Sequence, residues 1–121
     1  MGAIISSSKR YDLEERTLQF AKKIIQLTKE IQLNLQNIEI SKQLIRSTGS
    51  VGANYIEANE ALGKKDFMMR IKICKKEAKE SRYWLNLLET NSEISDKARQ
   101  NLIQESTELM KIFGAILEKS K

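Results

Sequence analysis

Apolar residues return every three or four positions along nearly the whole chain, in four runs separated by short polar breaks. That period belongs to helices that bury one face. In the first run Leu13, Thr17, Phe20, Ile24, Leu27 and Ile31 share a face, with Lys22, Lys23 and Lys29 off it. Leu18 and Ile25 form a second, narrower apolar flank. Asp12 stands where an N-cap belongs, and Glu14 and Glu15 follow where the helix dipole favours acids. Two asparagines within residues 32–37 interrupt the pattern and predict fraying there.

The second run starts near Asn37 or Ile38 and reaches about Leu62. Its expected core side is Ile38, Ser41, Leu44, Ile45, Thr48, Val51, Gly52, Tyr55, Ile56, Asn59 and Leu62. Residues 47–53 are mostly Ser, Thr, Gly and Ala. A mid-helix glycine costs about 1 kcal/mol against alanine. Gly49 and Gly52 therefore imply either close approach by another backbone or a kink. Gly63 reads as the C-cap, and Gly63-Lys64-Lys65 as the turn.

In the third run Asp66 is the expected cap, and Phe67, Ile71, Cys74, Ala78, Ser81, Leu85 and Leu88 make an apolar seam. Lys72, Lys75, Lys76, Lys79 and Arg82 fall on the opposite side. Between the two faces runs a mixed strip of Ile73, Glu77, Glu80, Trp84 and Leu87. Such a strip suits an oligomer interface, and a wide core face would equally absorb its apolar members. After the polar turn at residues 90–93, Ser95 is the expected cap of a fourth helix, with Asp96 beside it. There Ala98, Leu102, Ser106, Leu109, Phe113 and Ile116 face inward, with Met110 and Leu117 alongside. Four helices of about 18 to 25 residues, each roughly 27 to 38 Å long, predict an all-α, antiparallel up-down-up-down four-helix bundle. The bundle domain spans residues 11–118, behind a disordered lead over residues 1–10.

Composition narrows the picture. The 121 residues include no proline and five glycines, which favours few long helices with short connections. No run is long and apolar enough for a membrane span, and Ala3–Ile5 is too short for a secretory signal. The opening MGAIIS fits the degenerate N-myristoylation pattern, but a disordered lead-in is the better reading. A net charge of +5, from 21 basic and 16 acidic residues, permits contact with RNA, DNA or acidic surfaces without demanding it. A lone cysteine, Cys74, excludes an intrachain disulfide and suits a reducing cytoplasm. Its place in the seam reads as core rather than reactive thiol.

Histidine is absent, which removes the commonest general base and the commonest transition-metal ligand. Glu57/Glu60 and Glu77/Glu80 raise a dimetal reading, but di-iron bundles need Glu-x-x-His on two helices. Neither Ser nor Cys has a histidine partner, and no glycine-rich phosphate loop follows a strand. The expectation is no enzyme, no metal, no cofactor and no small-molecule substrate.

The run SVGANYIEANEALGKKDFMMRIKICKKEAKESRYWLNLL resembles the four-helix-bundle family encoded in intervening sequences of bacterial 23S ribosomal RNA genes. The opening DLEERTLQFAKKII is similar to that family's first helix, and the resemblance covers about residues 11–118. Ser50, Gly52, Ala53, Asn54, Glu57, Ala58 and Asn59 occupy the signature segment. Lys65, Phe67, Glu77, Ala78, Glu80 and Trp84 occupy third-helix positions. Gly52 stands where many relatives carry proline, and Ala58-Asn59 where they carry a glycine after the signature acid, which matches a subgroup. The resemblance implies a ring-like homo-oligomer, a pentamer, without known catalytic activity. A related branch, the accessory protein of diversity-generating retroelements, is a basic pentamer that works with nucleic acid, and serves only as analogy.

As signature positions, Ser50, Asn54 and Glu57 suggest a subunit contact or a hydrogen bond between helices, against plain solvation. Lys72, Lys75, Lys76, Lys79 and Arg82 would make a basic stripe repeated around a ring, suited to phosphate contact without sequence reading. No recognisable RNA-reading module or stacking platform accompanies it. A merely solvated lysine face is the bland alternative. The functional expectation is a nucleic-acid-binding oligomer, and the alternative is a protein scaffold ring built through the Trp84 strip.

Overall fold

The computed structural model describes residues 7–121, with side chains from Asp12 onward. Its helices are α1 (Ser7–Glu30), α2 (Leu35–Asn59), α3 (Lys64–Leu87) and α4 (Glu93–Ser120), and no strand occurs among the described residues. Each helix packs on its chain neighbours, and α4 returns to α1. Cross-contacts run in descending register. Glu14 meets Asn59 and Thr17 meets Gly52, Arg46 meets Glu77 and Asn54 meets Arg70, and Arg82 meets Thr107 while Arg99 reaches the Leu85 carbonyl, so successive helices are antiparallel.

The core follows the expected seams. Phe20, Ile24 and Leu27 of α1 meet Leu44, Val51 and Tyr55 of α2, Phe67, Ile71 and Leu85 of α3, and Leu109 and Phe113 of α4. The Tyr55 and Phe113 rings lie 5.9 Å apart, tilted by 51°. Along the α2–α3 seam the side chains are small. Ser81 Oγ donates to Ser47 Oγ at 2.8 Å, and Cys74 Sγ lies 3.4 Å from the Val51 carbonyl. The α1–α4 seam is the loosest, and a fork of Arg16 to Glu105 and Glu108 ties it, at 2.7–3.0 Å. Hydrogen bonding to Glu105 holds the Arg16 guanidinium well above its ordinary pKa.

Several local expectations need correction. Helix α1 begins at Ser7, so Asp12 lies inside it rather than capping it, and Ser7–Arg10 is helical rather than a disordered lead. Residues 1–6, with the MGAIIS pattern, lie outside the described residues. Asn34 caps α2, accepting from the Asn37 N–H at 2.8 Å, because an asparagine side chain reaches the third amide of the helix. Helix α2 ends at Asn59, with Glu60 its C-cap, and Gly63 is the N-cap of α3 instead of the C-cap of α2. Gly63 has extended φ and ψ, so no left-handed residue closes α2. Asp66 sits in the first turn of α3, and Ser92, accepting from the Ser95 N–H at 3.0 Å, caps α4.

The larger correction concerns the buried face of α2. Ile38, Ile45, Ile56 and Leu62 are exposed, while Asn37, Ser47 and Ala58 are buried. Small side chains turn inward where α2 and α3 come close, and the isoleucines stay outside. Leu62 lies beyond the end of α2 and is wholly exposed. Of the two glycines, Gly52 serves close packing, since a β-carbon there would stand 3.2 Å from Thr17 Oγ1. Gly49 faces open space.

Candidate functional site

Helix α3 sorts its charges between two surfaces, and this sorting builds the candidate site. On the side toward α2, Glu77 is 5% exposed and Glu80 half-buried. Arg46 of α2 reaches Glu77 at 3.1 Å and also bonds Glu80. Burial works against the charge of Arg46, but Glu77 and Glu80 outweigh it and raise its pKa. The Trp84 indole N–H donates to Glu80 Oε2 at 3.0 Å, so Arg46, Glu80 and Trp84 form one chain of contacts. Ile73 is half-buried in the same strip, and Leu87 is exposed at its end.

Farther along the same groove, Arg70 donates to Asn54 Oδ1 at 3.0 Å. Asn54 in turn donates to the Ser50 carbonyl and to Ser50 Oγ. The signature residues Ser50 and Asn54 thus support a hydrogen bond between helices, whereas Glu57 is exposed. Neither Arg46 nor Arg70 stands out in the sequence. A basic residue facing the acids of the next antiparallel helix was the available signal.

With Glu77 and Glu80 occupied on the α2 side, α3 leaves Lys72, Lys75, Lys76 and Lys79 outside and exposed. Among the described residues, Lys72, Lys75 and Lys79 have no carboxylate within ion-pair distance, and Lys76 reaches Glu77 only at 4.0 Å. The stripe is wider than its spacing suggests. Lys75 leans over α4, its Nζ 3.6 Å from where a β-carbon on Gly114 would stand. Arg82 is half-buried and donates to Thr107 Oγ1 of α4 at 3.3 Å. Lys72, Lys76 and Lys79 are left as the outermost line.

The expected stripe had no aromatic member, and the structure supplies one. Tyr83 is 59% exposed on the outer side of α3, its ring edge-on to Trp84 at 5.1 Å and 74°.

A second surface is apolar. Leu18 and Ile25 of α1 and Ile38, Ile45 and Ile56 of α2 are exposed, with Gly49 and Ala53 between the α2 members. The α2 isoleucines were expected in the core, and their exposure makes this face visible only in the fold.

No group of three or more His, Cys, Asp or Glu residues converges as a metal site among the described residues. Glu57 and Glu60 are exposed, and Glu77 and Glu80 are bonded to Arg46. Cys74 is wholly buried, and burial pushes its thiol up to about 12. No helix among the described residues is long and apolar enough to cross a membrane.

A search of curated proteins finds no match. A solved structure from Bacteroides thetaiotaomicron is similar over 87% of this chain and 97% of its own, at 34% identity and TM-score 0.72. It is described as a protein of unknown function from the S23 ribosomal protein family. Residues 9–115 match the family described as 23S rRNA-intervening sequence protein. With that match covering most of the chain and the four helices in place, the chain belongs to the 23S rRNA-intervening sequence protein family.

Proposed function

We propose that this chain is a non-enzymatic, oligomeric helical-bundle protein that binds nucleic acid through the outer face of α3. The observation that carries the reading is the charge sorting on that helix. Glu77 and Glu80 are taken up by Arg46, while Lys72, Lys76 and Lys79 stand outside in a line. A lysine row whose one acidic contact among the described residues is Lys76 to Glu77, at 4.0 Å, is a phosphate-binding surface in physical terms, and its affinity depends on counterion release. It contacts backbone rather than base edges and gives little sequence discrimination.

Assembly supports the same reading, because copies of the stripe around a ring add their fields. The exposed strip of Leu18, Ile25, Ile45 and Ile56 is spaced as a helix-packing face, and a second copy of the chain is its proposed cover. The pentamer is part of this proposal. So is a cytoplasmic setting, which suits the reduced, buried Cys74.

The experiment is binding to structured RNA and duplex DNA across a salt series, with molar mass followed by light scattering. The expected result is an oligomer whose affinity falls steeply with salt. Replacing Lys72, Lys76 and Lys79 by glutamate should flatten the log–log slope by about 2 to 3 without changing the molar mass. An oligomer that binds neither ligand at low salt refutes the proposal. The other reading is a scaffold ring for protein partners, favoured by the half-exposed Trp84 strip. It predicts that Trp84→Ala dissociates the ring and that nucleic acid is ignored.

A further inference from the structure

The outermost line of α3 does not end in a cation. Lys65, Lys72, Lys76, Lys79 and Tyr83 follow one another at spacings of seven, four, three and four residues, which keeps them on one side of the helix. All are exposed. At 1.5 Å rise per residue, Tyr83 stands about 6 Å along the axis from Lys79 and about 16 Å from Lys72. A tyrosine 59% exposed at the end of a lysine row, outside the core, is a large apolar surface that folding leaves uncovered.

The ring is also held. Tyr83 rests edge-on against Trp84, which is fixed by its bond to Glu80, and Glu80 is fixed by Arg46 of the neighbouring helix. A braced aromatic side chain loses little freedom when a ligand stacks on it, so more of the stacking energy appears as affinity. Phosphate-binding lysines beside a braced, open aromatic ring are the two parts of a single-strand site. The cations follow the backbone, and the ring receives a base that is not paired.

The geometry points to Tyr83 as a base-stacking platform, so that the ligand of the basic face is single-stranded nucleic acid rather than duplex. This rests on the reading of α3 as a nucleic-acid surface and narrows it. A paired base has both faces occupied by its neighbours in the stack, so a duplex offers this face only phosphates. An unpaired segment offers phosphates to Lys72, Lys76 and Lys79 and a base to Tyr83. Stacking is tolerant of base identity, which agrees with a face that carries no base-edge reader.

The test compares the full chain with three variants, Tyr83→Leu, Tyr83→Phe, and Lys72, Lys76 and Lys79 all replaced by glutamate. The probes are a fluorescent oligouridylate of about 12 nucleotides and a duplex of the same length. Circular dichroism and molar mass check that each variant keeps its fold and assembly. The wild type should bind the single strand more tightly than the duplex. Tyr83→Leu should lose about 5- to 150-fold for the single strand, the loss of one stacked base. Its salt slope and its duplex affinity should not change, and Tyr83→Phe should bind as the wild type. The lysine variant should instead lose slope on both probes. Trp84, the only tryptophan and in contact with Tyr83, should change its fluorescence when the oligouridylate binds.

If Tyr83→Leu binds the single strand as well as the wild type while the lysine variant does not, the stacking inference fails and the basic-face reading stands. Equal or tighter binding of the duplex by the wild type overturns the inference in the same way. A fall in molar mass on Tyr83→Leu places Tyr83 at a subunit contact and also overturns it. Absence of binding to both probes at low salt overturns both readings.

Discussion

Asn37 ties two loops at one end of the bundle, and its removal gives a sharp test of the fold. The residue is 1% exposed, in the first turn of α2. Its side-chain amide donates to the Gln32 carbonyl at 3.0 Å and to the Glu89 carbonyl at 2.9 Å. Its carbonyl oxygen accepts from the Glu89 N–H at 3.1 Å. The α1–α2 connection is thereby fastened to the α3–α4 connection. Asn37→Ala removes all three bonds, each worth about 0.5–1.5 kcal/mol, for a gross loss of about 1.5–4.5 kcal/mol. Water can reach part of the orphaned backbone, because these bonds are only part-buried. The expected loss is therefore about 2–3 kcal/mol.

The assay is urea unfolding followed by circular dichroism. With a slope of about 1–3 kcal/mol per molar, the midpoint should fall by about 0.7–3 M with the slope unchanged. Exchange of the Glu89 amide hydrogen should accelerate in the native state, since that N–H loses its acceptor. Asn34→Ala is the natural control. It removes one N-cap bond and should cost about 1 kcal/mol without affecting Glu89. A loss below about 0.5 kcal/mol for Asn37→Ala, with Glu89 protection intact, would refute the argument, since each bond alone is worth about that much.

The two α2 glycines should part company. Gly49→Ala meets nothing within 4 Å in a helix interior and should stabilise by about 0.5–1 kcal/mol in thermal unfolding. Gly52→Leu pushes a side chain onto Thr17, whose hydroxyl is already bonded to the Leu13 carbonyl, and should destabilise by about 1–3 kcal/mol. Equal effects at the two positions would sink the close-packing account. Cys74 gives a pH-dependent prediction. Its folded pKa of about 12 lies above the ordinary thiol value, so its contribution to stability is complete below pH about 9 and is lost as pH rises toward 12. Above pH about 9 the stability advantage of wild type over Cys74→Ala should shrink by roughly 1.4 kcal/mol per pH unit. Near pH 8 the thiol should react with a thiol reagent only as fast as the protein unfolds.

The chain by itself determined the helices and most of their buried seams, because a period of three to four residues reports which face is apolar whatever the helix packs on. That was enough for α1, α3 and α4, where Leu13 to Ile31, Phe67 to Leu88 and Leu102 to Ile116 are buried as spaced. It also placed Lys72, Lys76 and Lys79 outside, as the positions opposite a continuous seam must be. The pattern failed on α2, where isoleucines and small residues flank the same line and periodicity alone cannot choose between them. Packing decided, since small Ser47 lets α3 approach, Ala58 is wholly buried, and Asn37 found partners in two loops. Cap positions were misread for a related reason. Several polar residues stand at each break, and only the backbone path selects Asn34, Gly63 and Ser92. The bracing of Trp84 by Arg46 through Glu80, and with it the held ring of Tyr83, joins residues up to 37 positions apart along the chain. Helical spacing alone puts Tyr83 at the end of the lysine row, but contacts between helices leave no period in the sequence, so only the tertiary structure shows that ring to be held and open.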